Sequence, residues 1–245
     1  MTRTIWTITG ADRLDFLQNL VTNDVLRLQE DGIVWSGLLT PQGKYLADFF
    51  IIRQGDDLLV DIDTGIADAT LRRLSMYRLR ADVQIAPATV TVSRGVGTGP
   101  AGSHADPRHP AMGWRFYGDT VDVPDVDWDA LRVEHVVPET GIELTPDTFI
   151  LEAGFERLHG VDFRKGCYVG QEVTARMKHK TELRKGLMRV AIDGAAPVGT
   201  EIMAGGKVAG TLFTQSNGQA IAYLRFDRLA GDLTAGNARI HAHEN

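Results

Sequence analysis

Short apolar runs bounded by turn residues mark the strands that the N-terminal half of the chain predicts. The residues of Thr4–Ile8 alternate between apolar and polar, and Pro41-Gln42-Gly43 and Gln54-Gly55-Asp56-Asp57 are typical turns between longer runs. The pattern predicts strands at Thr4–Ile8, Ile33–Leu39, Tyr45–Arg53, Leu58–Ile62, Asp82–Ile85, Val90–Ser93 and Met112–Tyr117.

Apolar residues at three- and four-residue spacing predict the helices. Asp12 stands where it can cap a first helix, whose apolar positions are Leu14, Leu17, Leu20 and Val21. A second helix is predicted at Ile66–Leu79, with a core stripe of Ile66, Leu71, Leu74 and Met76 or Tyr77. Shorter helices are predicted at Asp127–Val136 and Gln171–Lys180. Strands followed by a helix and then by more strands indicate an α+β fold rather than a regular parallel series.

From about Leu183 the pattern changes to short strands separated by glycines, which is typical of a small antiparallel barrel or sandwich. We therefore expect two domains. Residues 1–182 would form an α+β region of two intertwined subdomains, and residues 183–245 a C-terminal β-barrel. Arg94–Pro110 is rich in Gly, Pro, Ser and His, so we expect a mobile loop there.

The composition is that of a soluble globular protein, with 43% hydrophobic and 24% charged residues. No apolar run approaches the ~20 residues that a membrane-spanning helix needs. The first residues lack the apolar core of a secretory signal. The only cysteine, Cys167, excludes an internal disulfide, which fits a reducing compartment. These features predict a cytoplasmic protein that does not bind membranes.

The charge is unevenly distributed along this acidic chain, whose net charge is −6. Between Asp162 and Arg189 there are eight Lys or Arg residues against three acids. Such a basic window favours an anionic ligand, although a solvated charged face is the alternative. Duplex nucleic acid is not expected as a partner, because the chain is acidic and carries no recognised binding motif. A G-x-G-x-x-G match at Gly97–Gly102 does not indicate a dinucleotide site, because Pro100 interrupts it and no helix follows.

The residues around Cys167 are the strongest functional signal. The segment Lys165-Gly166-Cys167-Tyr168-Val169-Gly170-Gln171-Glu172 places the thiol between two glycines and after a cation. Glycines keep the backbone accessible, and a neighbouring cation favours the thiolate, which is the reactive form. The alternative is an inert buried cysteine. One thiolate cannot hold a four-cysteine cluster, so a role with iron–sulfur clusters would be transient, shared between chains or indirect. We expect no stably bound metal.

This octapeptide resembles the defining motif of the YgfZ family. Members of that family are folate-binding proteins of iron–sulfur enzyme maturation and relatives of the aminomethyltransferase (T protein) of the glycine cleavage system. Four further stretches are similar to T-protein segments: Leu20–Val25, Pro41–Asp48, Tyr77–Val83, and Leu151–Gly154 followed by Gly160–Asp162. The resemblance implies a T-protein-like fold of mixed and antiparallel sheets with helices, folate in a central opening and a C-terminal barrel.

The resemblance also implies roles for individual residues. Cys167 and Lys165 would carry the chemistry, and Asp48 matches an acid important for methylene transfer in T proteins. Glu152 would bind the pterin. Asn23, Tyr77, Arg80 and Tyr168 would line the folate opening, although structural hydrogen bonding is equally compatible with the first three. The folate tail would be bound by Arg176 and Lys178, unless these are only exposed helix residues.

Three functions remain open from the sequence. The first is a factor that binds tetrahydrofolate, including polyglutamylated forms, and supports the assembly or repair of iron–sulfur enzymes, among them tRNA-modifying ones. Its partners would be those enzymes or assembly proteins. The second is a folate-dependent one-carbon transferase, favoured by Asp48. The third is a folate-sensing adaptor in which Cys167 only packs.

Overall fold

The computed structural model describes residues 2–180 and 182–242, and its N-terminal part is built on a five-stranded antiparallel sheet in the order β2-β3-β4-β1-β5. The strands are β1 (Arg3–Thr9), β2 (Ile33–Leu39), β3 (Tyr45–Gln54), β4 (Asp57–Asp63) and β5 (Gln84–Pro87). The chain divides into two units, and this sheet belongs to the first, which comprises Met1–Val126 and Phe155–Ala175.

One face of this sheet packs against helices. The helices are α1 (Arg13–Gln18), α2 (Leu28–Asp31) and α3 (Thr64–Arg78). Apolar residues from alternate strand positions, such as Phe49, Ile51 and Val60, form one buried cluster with Leu17 of α1 and Leu74 of α3. Burial of this alternating face drives the assembly of helices and sheet, because apolar area removed from water contributes about 25 cal/mol per Å².

The opposite face of the sheet carries charged and aromatic residues. Asp61 of β4 is fully buried and accepts hydrogen bonds from Arg3 Nε at 2.6 Å, Arg115 Nη2 at 2.7 Å and the Tyr117 hydroxyl at 2.8 Å. Burial alone would raise the pKa of Asp61, but the guanidinium groups of Arg115 and Arg3 hold it below its usual value. The Arg115 guanidinium also lies 3.8 Å from the ring centre of Phe50, so this face is an ionic and aromatic layer.

Arg115 and Tyr117 come from a second, three-stranded sheet in the order β6-β8-β7. Its strands are β6 (Thr91–Gly95), β7 (His104–Ala105) and β8 (Trp114–Gly118). The segment predicted as a mobile loop, Arg94–Pro110, therefore contains β7 and the end of β6. It also contains the buried Asp106, which binds Arg108 through both carboxylate oxygens. The loop prediction is therefore corrected at residues 94–95 and 104–105, which lie in strands, whereas the mobility of the segment stays a prediction.

The second unit, Asp127–Gly154 and Arg176–Asn245, contains a closed barrel of six strands. The strands are β9 (Lys185–Asp193), β10 (Glu201–Ala204), β11 (Lys207–Ser216), β12 (Gln219–Arg225), β13 (Leu233–Ala235) and β14 (Ala238–His241). Small and medium apolar residues such as Ala220, Ala222 and Leu224 fill its interior, as a narrow barrel requires. The predicted C-terminal barrel is confirmed, and so is the α+β class.

Residues 127–154 group with the barrel, although the sequence pattern placed them in the N-terminal region. They include α4 (Trp128–His135), whose Arg132 side chain is buried and donates to Glu143 Oε2 at 2.5 Å. The other oxygen of Glu143 accepts from the Thr214 hydroxyl on β11 at 2.6 Å. A buried ion pair needs such additional hydrogen bonds to offset its desolvation, so this polar cluster ties α4 to the barrel. The boundary between the two units falls within the helix α5 (Gln171–Lys180), after Ala175.

The structure decides one open alternative and corrects one local prediction. Tyr77 packs against the core whereas Met76 is 63% exposed, so the helical stripe of α3 ends on Tyr77. Asp12 precedes α1 but makes no capping hydrogen bond to it. Its carboxylate instead accepts from the Asp82 amide at 2.8 Å, because the segment that precedes β5 lies next to the start of the helix.

Candidate functional site

Cys167 lies exposed on the segment between residue 163 and α5, with a free thiol. The sequence left open whether this cysteine packs inside the protein. Its exposure excludes the packed alternative for Cys167 itself, since a cysteine that serves as a small hydrophobe would be buried. The contacts of the neighbouring residues determine how rigidly this segment is held.

Lys165 fastens the segment on its N-terminal side. Its ammonium donates hydrogen bonds to the main-chain carbonyls of Gln18 and Val21, both at 2.5 Å, where α1 has just ended. The last carbonyls of a helix lack partners within the helix and attract cations, so a lysine is suited to this place. Burial lowers the pKa of Lys165 to about 8, against the opposing effect of Asp24 and Asp162.

Two glycines fasten the segment on its C-terminal side. Gly170 has a φ of 84°, and a side chain there would come within 2.5 Å of the Thr40 carbonyl oxygen. Gly43, in the turn between β2 and β3, likewise has no room for a side chain because Val173 of α5 lies 2.8 Å from the place its Cβ would take. The turn and the start of α5 therefore pack backbone to backbone, and Cys167 lies between this contact and the Lys165 anchor.

Tyr168 points inward while its neighbour Cys167 points outward. Tyr168 is only 8% exposed, and its ring centre lies 5.2 Å from the Lys165 ammonium. Burial raises the pKa of Tyr168 to about 12. Tyr168 packs beneath the segment, which agrees with a supporting role; whether it also contacts folate stays a prediction.

Asp48 lies on the charged and aromatic face of the main sheet. It is 6% exposed, and its two carboxylate oxygens accept hydrogen bonds from Trp35 Nε1 at 2.8 Å and the Tyr45 hydroxyl at 2.7 Å. Asn23 belongs to the same neighbourhood, because its side-chain amide donates to the carbonyls of Trp35 at 2.8 Å and His159 at 2.6 Å. The Asn23 amide thus has a structural hydrogen-bonding role.

Glu152 belongs to the second unit and has its own set of partners. It is 8% exposed, and its Oε2 accepts a hydrogen bond from the Tyr223 hydroxyl of β12 at 2.6 Å. The Lys185 ammonium lies 3.8 Å from the same oxygen and 5.3 Å from the ring centre of Tyr223. Burial raises the pKa of Tyr223, and Glu152 raises it further, so this hydroxyl stays protonated and donates. Oε1 accepts no hydrogen bond within the described part of the chain.

The remaining predicted residues occupy other places. Tyr77 and Arg80 line a surface groove of the first unit together with residues of α1. Arg176 and Lys178 are exposed on α5, where their side chains are accessible to an anionic tail. Within the first unit, the structure thus brings together Lys165, Cys167 and Tyr168, and separately Asn23 and Asp48 through Trp35.

Sequence reasoning missed the residues that position the two carboxylates. Trp35 and Tyr45 lie in predicted strands, and the sequence pattern assigned neither of them a role beside Asp48. Tyr223 could have been noticed, because alternation along β12 places it on the opposite side from the barrel-filling residues Ala222 and Leu224. Lys185 was counted only as part of the basic window.

Neither a metal site nor a membrane span stands out in the described ranges 2–180 and 182–242. No cluster of three or more His, Cys, Asp or Glu side chains there could hold a metal ion. No helix in the same ranges is both long and apolar enough to cross a bilayer.

Comparison with known proteins finds a likeness in sequence to iron–sulfur cluster assembly factors and a likeness in fold to a T protein. The family model described as CAF17, C-terminal beta-barrel domain, matches residues 184–245. The chain is 31% identical over 211 residues to a protein of Mycosarcoma maydis named iron-sulfur cluster assembly factor IBA57 homolog, mitochondrial, covering 73% of this chain and 52% of that protein. It is 26% identical to the mouse iron-sulfur cluster assembly factor IBA57, mitochondrial, over 94% of this chain and 78% of the mouse protein.

The structural comparison confirms the predicted fold. The aminomethyltransferase T of the glycine cleavage system from Bartonella henselae superposes with a TM-score of 0.78 over 98% of this chain and 83% of that chain, at 14% identity. This shows a T-protein-like fold and nothing about activity. The chain spans about half the length of the fungal relatives it matches, between 52% and 57% of the first four.

Two expectations change with these findings. The relatives are IBA57 proteins, so the YgfZ resemblance of the cysteine motif points to a related family rather than to these homologues. The predicted cytoplasmic location was wrong by the same comparison, because the names of the fungal, mouse and human relatives place them in mitochondria.

Proposed function

We propose that this protein is an iron–sulfur cluster assembly factor in which Cys167 supplies one ligand to a cluster shared with a partner protein, and that it binds tetrahydrofolate through Glu152. The observation that carries the proposal is the exposed thiol held between two anchors, Lys165 on one side and Gly170 on the other. The names of its relatives support the same assignment.

The number of thiolates decides what Cys167 can do. Iron–sulfur clusters are usually held by four protein ligands, mostly cysteine thiolates, and this chain contains one cysteine. The remaining ligands must come from another molecule, so the cluster is cargo that passes at a contact between two proteins. An exposed ligand on an anchored segment suits such a contact, because a partner can reach it and little ordering entropy is lost on binding.

The surroundings of Glu152 fit a reduced folate. The pterin ring presents neighbouring N–H donors, and Glu152 offers an accepting oxygen beside one that Tyr223 already holds in place. Lys185 lies within reach of an anionic group, and Arg176 and Lys178 provide further exposed cations for the glutamate tail. When bound, tetrahydrofolate would supply a carrier for one-carbon units.

A folate-dependent one-carbon transferase is the second candidate, and Asp48 is the observation in its favour. Its carboxylate is nearly buried and accepts hydrogen bonds from Trp35 and Tyr45, a fixed orientation that suits a group placed to stabilise a developing cation. Turnover of methylene-tetrahydrofolate with an amine acceptor would favour this candidate, and loss of that turnover in Asp48→Asn would confirm the role of Asp48.

The test of the leading proposal uses cells that lack the protein. Wild type should restore the activities of iron–sulfur enzymes, tRNA-modifying ones included, whereas Cys167→Ser should not, because a serine hydroxyl is a poor ligand for iron. Thr200→Ser, a change of similar size at an exposed hydroxyl in the second unit, is the control and should rescue fully. Circular dichroism must show both variants folded. Full rescue by Cys167→Ser would contradict the proposal and favour a folate-sensing adaptor in which the thiol is dispensable.

A further inference from the structure

Leu79 is an exposed apolar residue in a backbone conformation that leucine disfavours. It directly follows α3, its side chain is 88% exposed, and its φ and ψ are 44° and −107°. Positive φ is accessible to glycine without a steric penalty, but costs energy in a residue with a Cβ. A leucine that neither fills the core nor eases the backbone contributes little to stability, so its presence suggests contact with another molecule.

Leu79 forms the edge of a groove in the first unit. The groove has a volume of about 350 Å³ and is lined mainly by apolar groups of Phe16, Leu20, Tyr77, Leu79 and Ala81. Met76, one turn earlier on α3, is 63% exposed and extends the apolar surface beside Leu79. This surface is thus a concave apolar pocket with an exposed apolar rim, the usual form of a site that receives an anchoring side chain.

The groove is held in shape by hydrogen bonds between its two walls. The Asp82 carboxylate accepts from the Ala11 amide at 3.1 Å, and the Asp12 carboxylate accepts from the Asp82 amide at 2.8 Å. Gly10 permits this approach, since a side chain there would come within 2.1 Å of the Asp82 carbonyl oxygen. These reciprocal bonds fix the turn after α3 to the start of α1 and keep Leu79 in its strained conformation.

The same helix, α1, connects the groove to the cysteine segment. Asn19 and Leu20 line the groove, and the flanking residues Gln18 and Val21 provide the carbonyls that bind Lys165. The Gln18 side chain also donates to the Lys165 carbonyl oxygen at 3.3 Å. The groove and the segment that carries the exposed thiol therefore both contact the end of α1 and the three residues that follow it.

The charges at the rim indicate the chemistry of the occupant. The exposed arginines Arg78 and Arg80 line one wall, and the exposed acids Asp12 and Asp15 line the other. Arg72, also exposed, adds a further cation on α3. A segment with one apolar anchor and acidic residues on the arginine side would match this distribution.

We propose that this groove is where the protein that supplies the remaining cluster ligands docks, by inserting an apolar side chain against Phe16 and Leu79 with acidic residues facing Arg78 and Arg80. The inference rests on the proposed function, because it assigns a docking surface to the partner that shares the cluster at Cys167. Leu79 provides affinity, whereas Cys167 provides a metal ligand, and the two contributions are separable.

The test measures binding of purified [2Fe–2S] carrier proteins with cysteine-ligated clusters, in their cluster-loaded form, to the full-length protein by calorimetry. Leu79→Asp and Leu79→Gly should each weaken binding at least tenfold. Val96→Asp, an equally polar change at another exposed apolar residue of the first unit, should leave it unchanged. Leu79→Gly should unfold at the same or a higher temperature than wild type, because glycine relieves the strain. Hydrogen exchange on binding should slow at residues 12–20 and 76–82.

The possible outcomes separate the two proposals. If a carrier binds wild type and both Leu79 variants with equal affinity, the groove is not the docking surface, and the function proposed for Cys167 stands. If Cys167→Ser still binds the carrier but no longer shares its cluster, while the Leu79 variants lose binding, both proposals are supported. If no carrier binds wild type, the shared-cluster function and the docking surface are both overturned.

Discussion

Lys165, two positions before the exposed Cys167, donates a hydrogen bond from its ammonium to the main-chain carbonyl of Val21 at 2.5 Å. A second bond of the same length reaches the carbonyl of Gln18. Lys165, which stands near the thiol in the sequence, thus binds carbonyls at the end of α1. These hydrogen bonds hold the segment that carries Cys167. Lys165 could anchor the segment or only add a positive charge near the thiol. Substitutions of Lys165 and of the neighbouring Arg164 distinguish these two roles.

Replacing Lys165 by methionine should loosen the cysteine segment. The change leaves two carbonyls at the end of α1 without their donor, at a cost of ~1–3 kcal/mol. Amide exchange at residues 165–170 should accelerate about tenfold or more. Arg164→Met removes a charge from the adjacent position, where the side chain is 91% exposed, and is the control. Equal exchange in the two variants would show that Lys165 does not anchor the segment.

The pH dependence of stability should reveal the buried position of Lys165. Its pKa in the folded protein is about 8, below the 10.5 of a free lysine, because burial disfavours the charged form. Between these values the unfolded chain binds a proton that the folded protein does not, so stability gains with rising pH. The Tm of wild type relative to Lys165→Met should therefore increase from pH 8 to about pH 10.5. A constant difference over that range would contradict the lowered pKa.

The architecture was predictable because it depends on local patterns. Alternation and turn residues identified the strands of the main sheet, and the spacing of glycines after Leu183 identified the barrel. The identities of Cys167, Glu152 and Asp48 were predictable as candidates because each stands in a short motif.

The partners of these residues were not predictable, because they come from distant parts of the chain. Lys165 lies 147 positions from Gln18, and Tyr223 lies 71 positions from Glu152. Lys165 beside Cys167 suggested a role in the chemistry of the thiol, whereas tertiary packing directs its ammonium to α1. The strained conformation of Leu79 was likewise not predictable, because apolar spacing can assign a residue to one face of a helix but cannot predict a positive φ.

Tetrahydrofolate affinity should depend on Glu152 and, to a smaller degree, on Tyr223. Glu152→Gln removes a charged acceptor from a nearly buried position and should weaken binding by ~1.5–3 kcal/mol, or roughly ten- to hundredfold. Tyr223→Phe keeps the carboxylate of Glu152 but removes the hydrogen bond that orients it, and should lower the affinity about threefold to tenfold. Glu201→Gln, an exposed acid on the same barrel, should have no effect. Calorimetry with unchanged affinity in Glu152→Gln would remove Glu152 from the site.

Polyglutamylated tetrahydrofolate should bind more tightly than the monoglutamate at low salt. Each additional carboxylate can meet another exposed cation, and Arg176 and Lys178 are the candidates on α5. The preference should shrink at physiological ionic strength, where charges are screened beyond ~8 Å. The double variant Arg176→Met and Lys178→Met should lose the preference while keeping monoglutamate affinity. Equal affinities of wild type for both forms at low salt would assign these cations to simple solvation.

The buried carboxylate of Asp61 should be essential to the stability of the first unit. Asp61→Asn leaves Arg115, which is 3% exposed, with Asp106 at 3.5 Å as its remaining carboxylate partner among the described residues. Removing one partner of a buried ion pair costs ~3–5 kcal/mol. Asp227→Asn breaks an ion pair with Arg225 on the surface and is the control, with a much smaller expected change.

The stabilisation that Asp61 provides should depend on pH in the acid range. Its pKa is held below the usual value, so the unfolded chain takes up a proton first as the pH falls. The stabilisation by the ionised carboxylate is complete above the unfolded pKa of about 3.9 and is lost as the pH drops through the lower, folded value. In thermal unfolding, the Tm difference between wild type and Asp61→Asn should thus be constant from pH 5 to 7 and shrink below about pH 4. A difference that grows with acid would mean that Asp61 is protonated in the folded protein, and the ionic layer between the two sheets would need another explanation.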